Sequence, residues 1–258
     1  GLPVSFTIDA ASSAVCVLAG STVSFTGAGT CTIYAIQAGN ANWNAAPQSL
    51  QSFTVAKAAQ TITFTSTAPT GATFGGATYT VSATATSGLP VTLTIDAASS
   101  AVCTIAGASV SFTGAGTCAI NANQAGNANW NAAPQAQQSF AVARASQTVT
   151  FTSTAPSGAT FGGATYTVAA TASSGLPVAF TIDAASSGVC TIAGATVSFT
   201  GAGNCTINAN QAGNANWNAA PQAQQSFAVA KASQTITFTS TAPTGATFGG
   251  PTYTVSAT

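Results

Sequence analysis

The sequence has no histidine and no methionine, and its three acidic residues are all aspartate, so glutamate is missing too. A serine or cysteine nucleophile therefore has no imidazole to act as its base. The acids Asp9, Asp96 and Asp183 fall one to a repeat, which excludes a carboxylate pair within a repeat. Two cysteines and one aspartate per repeat cannot close a zinc site, and calcium asks for more carboxylates than are present. No catalytic, metal or cofactor residues are assigned. Only three basic residues, Lys57, Arg144 and Lys231, balance the acids. With no basic patch, nucleic acid is not expected as a partner. No apolar run reaches 18 residues, so no membrane-spanning helix is expected. Without a methionine to begin it, the chain is expected to be a processed product or a window from a longer one.

What is there is repetition. The tetrapeptide GLPV begins at Gly1, Gly88 and Gly175, a period of 87 residues without insertions. Each period carries two cysteines fifteen residues apart: Cys16 and Cys31, Cys103 and Cys118, Cys190 and Cys205. A tryptophan follows twelve residues after the second (Trp43, Trp130, Trp217). In the third copy Cys190/Ile192, Val197/Phe199 and Cys205/Ile207/Ala209 alternate between glycine breaks, which predicts a three-stranded antiparallel meander with one buried face. Both cysteines lie on the inward phase. They are expected to form a disulfide across the intervening strand, worth about 3 kcal/mol in the chain-entropy model. Paired cysteines without metal-binding company point to an oxidising compartment.

A full unit, 145–231, reads as seven strands: one near Val149–Thr152, one over Tyr166–Ala172, one over Val178–Ile182, the three of the meander, and a last at Ser226–Val229. The inward phase switches from odd (Phe227, Val229) to even (Ile236, Phe238) across the junction AKASQTITF, as passage between domains requires. The expected organisation is a partial repeat 1–57, repeats 58–144 and 145–231, and a partial repeat 232–258. The class is all-β, as tandem seven-stranded immunoglobulin-like sandwiches.

The run from Gln60 to Pro134, QTITFTSTAPTGATFGGATYTV…NANWNAAP, resembles the tandem Ig-like repeats of very large bacterial surface and adhesin proteins, and the likeness extends over the whole chain. The resemblance implies an extracellular stalk or fibre and brings no catalytic residues with it.

Several motifs reduce to structure. TFGGATY and TGAGT lack a GK[ST] ending and precede strands, so they are turns rather than phosphate loops. Asp183 reads as a turn residue bonding local backbone. Arg144 occupies the single basic position of the middle unit, against a Lys–Asn isopeptide. Asn204-Cys205-Thr206 matches a glycosylation sequon in one repeat only. The Trp loop NANWNAAPQ has two readings, packing at the pole of the sandwich against a neighbouring repeat, or sugar binding; packing is preferred. Ice binding along the outward Thr148, Thr150 and Thr152 is a weaker alternative.

The copies also differ. Tyr34, Ile36, Leu50 and Val17 stand where the other repeats carry Asn121/Asn208, Asn123/Asn210, Gln137/Gln224 and Thr104/Thr191. Strand phase puts these four on the outer side, which predicts a contact patch for another chain or repeat. Finally, 232–258 supplies the first two strands of a unit and 1–57 the remaining five. That arrangement fits a window from a longer array, the simpler reading, or strand exchange between copies. The function expected is a non-catalytic extracellular fibre or filament that self-associates. A passive adhesin stalk is the runner-up, and carbohydrate-binding repeats the third reading.

Overall fold

A computed structural model describes all residues 1–258 and divides them into two compact units, Gly1–Ala145 and Ser146–Thr258. The first contains strands β1 (Ser5–Ile8), β2 (Cys16–Ala19), β3 (Thr22–Phe25), β4 (Gly29–Ile36) and β5 (Ser49–Val55). After the junction come β6 (Ile62–Phe64), β7 (Tyr79–Thr80), β8 (Ala83–Ala85), β9 (Thr92–Ile95), β10 (Cys103–Ala106), β11 (Ser109–Phe112), β12 (Gly116–Asn123) and β13 (Ala136–Val142). The second unit repeats that series as β14 (Val149–Phe151), β15 (Tyr166–Thr167), β16 (Ala170–Ala172), β17 (Ala179–Ile182), β18 (Cys190–Ala193), β19 (Thr196–Phe199), β20 (Gly203–Asn210) and β21 (Ala223–Val229).

The fold is an all-β sandwich of antiparallel Ig-like type. In 58–144 one layer is β9-β12-β13, and the opposing layer is built from β10-β11-β7 and the pair β6-β8. Alternation dictates this. Cys118 and Ile120 on β12 face inward with Val110 and Phe112 on β11, and all four are buried. A second, smaller cluster around Ile62, Ala85 and Ala122 fills the other end. The same two clusters recur in the second unit around Val197/Ile207 and Val149/Ala209.

Two expectations change here. The cysteine segment is not a three-stranded meander. β10 and β11 form a hairpin (Cys103↔Phe112), but β12 leaves that sheet and pairs with β9 and β13 in the other layer. The disulfide therefore bridges the two sheets instead of crossing one intervening strand. The second change concerns the single strand expected over Tyr166–Ala172, which is two. Tyr166–Thr167 pairs with β19, the chain breaks at Val168–Ala169, and Ala170–Ala172 pairs with β14.

Each repeat also makes a short 3₁₀ turn unseen in the hydrophobic pattern, because it contains too few residues to show a period. These turns are Ala10–Ser12, Ala97–Ser99 and Ala184–Ser186. Each is capped by the repeat's aspartate, whose carboxylate accepts from the amide two residues on; for Asp183 and Ala185 the distance is 3.1 Å. The turn carries the chain from β9 to β10, between layers. Buried Ser99 holds it down, donating to Thr117 O and accepting from Ala119 N, both at 3.0 Å.

Candidate functional site

Three disulfides are present: Cys16–Cys31, Cys103–Cys118 and Cys190–Cys205, with Cα separations of 5.9, 5.8 and 5.8 Å. Each lies at the centre of its core cluster. Beside it sits an aromatic trio: Tyr79 and Phe112 each meet the ring of Phe140 edge-on, at 5.6 and 5.9 Å. The Tyr79 hydroxyl donates to Gln138 Oε1 at 2.8 Å and pairs with Ser66 Oγ at 2.6 Å, which ties β13 to the loop after β6.

On the outer face of β12 the polar residues form a chain of bonds. Asn121 Nδ2 donates to Asp96 Oδ2 at 3.1 Å, and Asn121 Oδ1 accepts from Gln137 Nε2 at 2.9 Å. The bond from Asn121 and the amide of Ala98 hold the Asp96 carboxyl below the ordinary carboxylate value. Although its strand phase is outward, Asn121 is buried under these neighbours. Asn208 is buried in the same way, with Gln224 at 2.8 Å.

In the first repeat that chain is replaced. Tyr34 and Leu50 are register partners across β4 and β5. Tyr34 donates its hydroxyl to Asp9 Oδ1 at 3.2 Å, which raises its own pKa above 10.0 through that bond and the adjacent negative charge. Leu50 is 64% exposed, and Ile36 lies one pleat further along the same face, half-buried. Val17 does not belong with them. It is on β2, which pairs only with β3 in the opposing layer, so its exposed side chain faces away from the β4–β5 surface. A three-stranded meander would put Val17 on the same face as Tyr34; the crossover of β4 to the other layer removes it.

The Trp loops are rigid by construction. Asn127 Oδ1 accepts from the amides of Asn129 and Trp130 at 2.8 and 2.9 Å. Gly126 adopts φ 75°, and a Cβ there would fall 2.3 Å from Trp130 O. The junction residues lie alongside: Ala58 N donates to Asn129 O, and Asn131 N to Ala58 O, both at 2.9 Å. Sequence reasoning missed Gln60, which is buried at this seam. Its Nε2 donates to Gln124 Oε1 and Asn131 O at 2.7 and 2.6 Å, and its Oε1 accepts from Ser87 Oγ. The recurring glutamine of the junction was the available signal. Gln147 makes the matching bonds in the second unit, at 2.6 and 2.7 Å.

The three tryptophans are not equivalent. Trp130 is half-buried and lines a hollow of about 320 Å³ with Phe25, Gly27, Ala28 and Val55 of the first repeat, where Ala28 N also donates to Asn129 Oδ1 at 2.9 Å. Trp217 is half-buried, whereas Trp43 is 70% exposed beside an open hollow of about 660 Å³ that includes Gln37 and Asn44.

No protein-family model matches this sequence, and no curated protein does. Among solved structures, the chain is similar to mouse protocadherin-24 EC1-3, at 15% identity over 88% of this chain and 90% of that one, with a TM-score of 0.33. It is also similar to Drosophila N-cadherin EC1-3, at 9% identity over 89% of each chain and TM-score 0.32. A third is the surface layer protein SbsC, domains 1-6, at 16% identity over 91% of this chain and 36% of that one, with TM-score 0.28.

Proposed function

We propose that the chain is a non-catalytic, extracellular structural array that self-associates into a fibre or filament on a bacterial surface. The observation that carries this reading is the Tyr34–Leu50 pair, with Ile36 beside it. An apolar strip stands on one repeat where the others hold a closed Asp–Asn–Gln chain of bonds. Apolar side chains at these outward positions occur in the first repeat alone, and we read them as a docking face whose partner is another copy of this chain. The three sheet-bridging disulfides suit an oxidising exterior. A charged fraction of 2% leaves little repulsion to keep sheet edges apart. Val17 is left out of the proposed interface.

The test is electron microscopy and sedimentation of the purified chain beside the combined variant Tyr34→Asn, Ile36→Asn, Leu50→Gln, which restores the polar pattern of the other repeats. Side-by-side association in the parent and its loss in the variant support the reading. Equal association of the two sinks it, and monodisperse rods in both favour a passive adhesin stalk.

A further inference from the structure

Of the chain's asparagines, Asn204 alone has a hydroxyl residue two positions on, in Asn204-Cys205-Thr206. The matching triplets of the other repeats are Thr30-Cys31-Thr32 and Thr117-Cys118-Ala119, so the third repeat alone joins the amide to the hydroxyl. The triplet lies inside the complete repeat 145–231, at the start of β20. Alternation sends Cys205 into the core, where it is fully buried, and turns Asn204 and Thr206 to the outer face. Asn204 is exposed there. Its Nδ2 donates to Thr206 Oγ1 at 3.3 Å, so the amide nitrogen and the hydroxyl stand side by side.

The ground beside Asn204 suits a sugar. A hollow of about 340 Å³ is lined there by Asn204, Thr206, Ser226, Gln224, Ser186 and Asp183. Hydroxyl, amide and carboxylate groups of this kind both donate to and accept from sugar hydroxyls. Thr206 Oγ1 and Ser226 Oγ share a bond at 2.7 Å. Gln224 Nε2 donates to Asn208 Oδ1 at 2.8 Å, which leaves Gln224 Oε1 to accept from a ligand.

The backbone of the triplet, by contrast, is held on every side. Asn204 O accepts from Ser186 Oγ at 2.9 Å, and Thr206 N donates to the same oxygen at 3.0 Å. Asn204 is the register partner of Ala228 on β21, and Cys205 is bonded to Cys190. In the oxidised fold the triplet is therefore fixed in its sheet and kept out of an enzyme's cleft. A sugar already on Nδ2 meets no such obstacle, because the side chain it extends lies outside the core.

We propose that Asn204 is an N-glycosylation site, modified before the Cys190–Cys205 bridge closes. The sugar comes from a glycosyl diphosphate, carried on a lipid or on a nucleotide. Asn204 Nδ2 attacks the anomeric carbon. The C–N bond forms as the C–O bond to the diphosphate breaks, the diphosphate leaves with that electron pair, and one amide proton passes to a carboxylate of the transferase. The glycan then stands on the face of β20 and β21 that corresponds to the Tyr34–Leu50 face of the first repeat, since Asn208 and Gln224 are the counterparts of those two residues. It keeps that face of the third repeat from packing sideways. The site itself does not depend on the self-association reading.

The experiment presents the 258-residue chain, reduced and oxidised, to two donors. One is a polyprenyl-diphosphate oligosaccharide with membranes holding an oligosaccharyltransferase. The other is UDP-glucose with a soluble asparagine glycosyltransferase. Peptide mapping by mass spectrometry reads the occupancy of Asn204. The reduced chain should carry the sugar from at least one donor, and the donor that serves identifies the source. Closing the three disulfides first should abolish most of the transfer. Asn204→Thr and Thr206→Ala should each lose it entirely, whereas Thr206→Ser, which keeps the hydroxyl, should retain it. The first two variants install the residues found at Thr117 and Ala119, so they should fold as the parent does by circular dichroism. An unmodified Asn204 with both donors, or a sugar that persists in Thr206→Ala, overturns the site. Equal occupancy in the reduced and oxidised chains overturns the timing.

Discussion

Cys103 and Cys118 stand on opposite layers of the sandwich, with their Cα atoms 5.8 Å apart. Cys103 is bonded through its strand to Phe112, and Cys118 through its strand to Phe140, so one covalent link joins the two hairpins whose rings pack beside it. Replacing both cysteines by serine should lower the stability of the first unit by about 3 kcal/mol from the denatured-state term. Burying two hydroxyls adds to that loss. Urea unfolding of the parent and the Cys103→Ser/Cys118→Ser variant, followed by Trp fluorescence, measures it. An unchanged midpoint would mean that the bridge constrains nothing.

The seam between the junction and the Trp loop depends on Gln60. Gln60→Ala leaves Asn131 O, Gln124 and Ser87 without their shared partner in a buried place. The expected loss is about 1–3 kcal/mol. Amide exchange should speed up at Ala58 and Asn131, whose backbone bonds the glutamine backs.

Protonation should report the first repeat's substituted face. Tyr34 has its pKa raised by the bond to Asp9 and by that residue's charge. The raised value means that the contribution is fully present below the ordinary value of 10.0 and is lost as pH rises through the folded value. Alkaline difference spectra of the parent and Asp9→Asn should therefore differ, with one tyrosine ionising at lower pH in the variant. Identical titrations would show that the Tyr34–Asp9 bond does not form.

The second repeat should behave in the opposite sense. Asp96 is held below its ordinary value of 3.8 by Asn121 and the Ala98 amide. Its contribution is present above that value and is lost as pH falls through the folded one. Asn121→Ala should move the Asp96 carboxyl resonance toward the ordinary titration midpoint and leave Gln137 without its acceptor.

Much of this was legible in the residues. The alternation around each cysteine fixed which way it faces, because side-chain direction depends only on the strand's own period. Which strand lies next door was not legible, since Cys118 faces inward equally well beside β11 or across from it. The turn GAG resembles a hairpin connection. It is instead a close crossing in which a Cβ on Gly114 would meet Ala101 O at 2.4 Å, and it sends β12 to the other layer. That crossing is why Val17 parted from Tyr34. The burial of Asn121 and Gln60 was also hidden. Both are polar on outward or loop positions, and only the long amides folded over them show that they are covered.

The measurement that bears most directly on the account is electron microscopy of the oxidised 258-residue chain across a concentration series. Fibres formed by sideways association and growing with concentration are the predicted result. Separate short rods at every concentration, with the three disulfides intact by mass spectrometry, would contradict it.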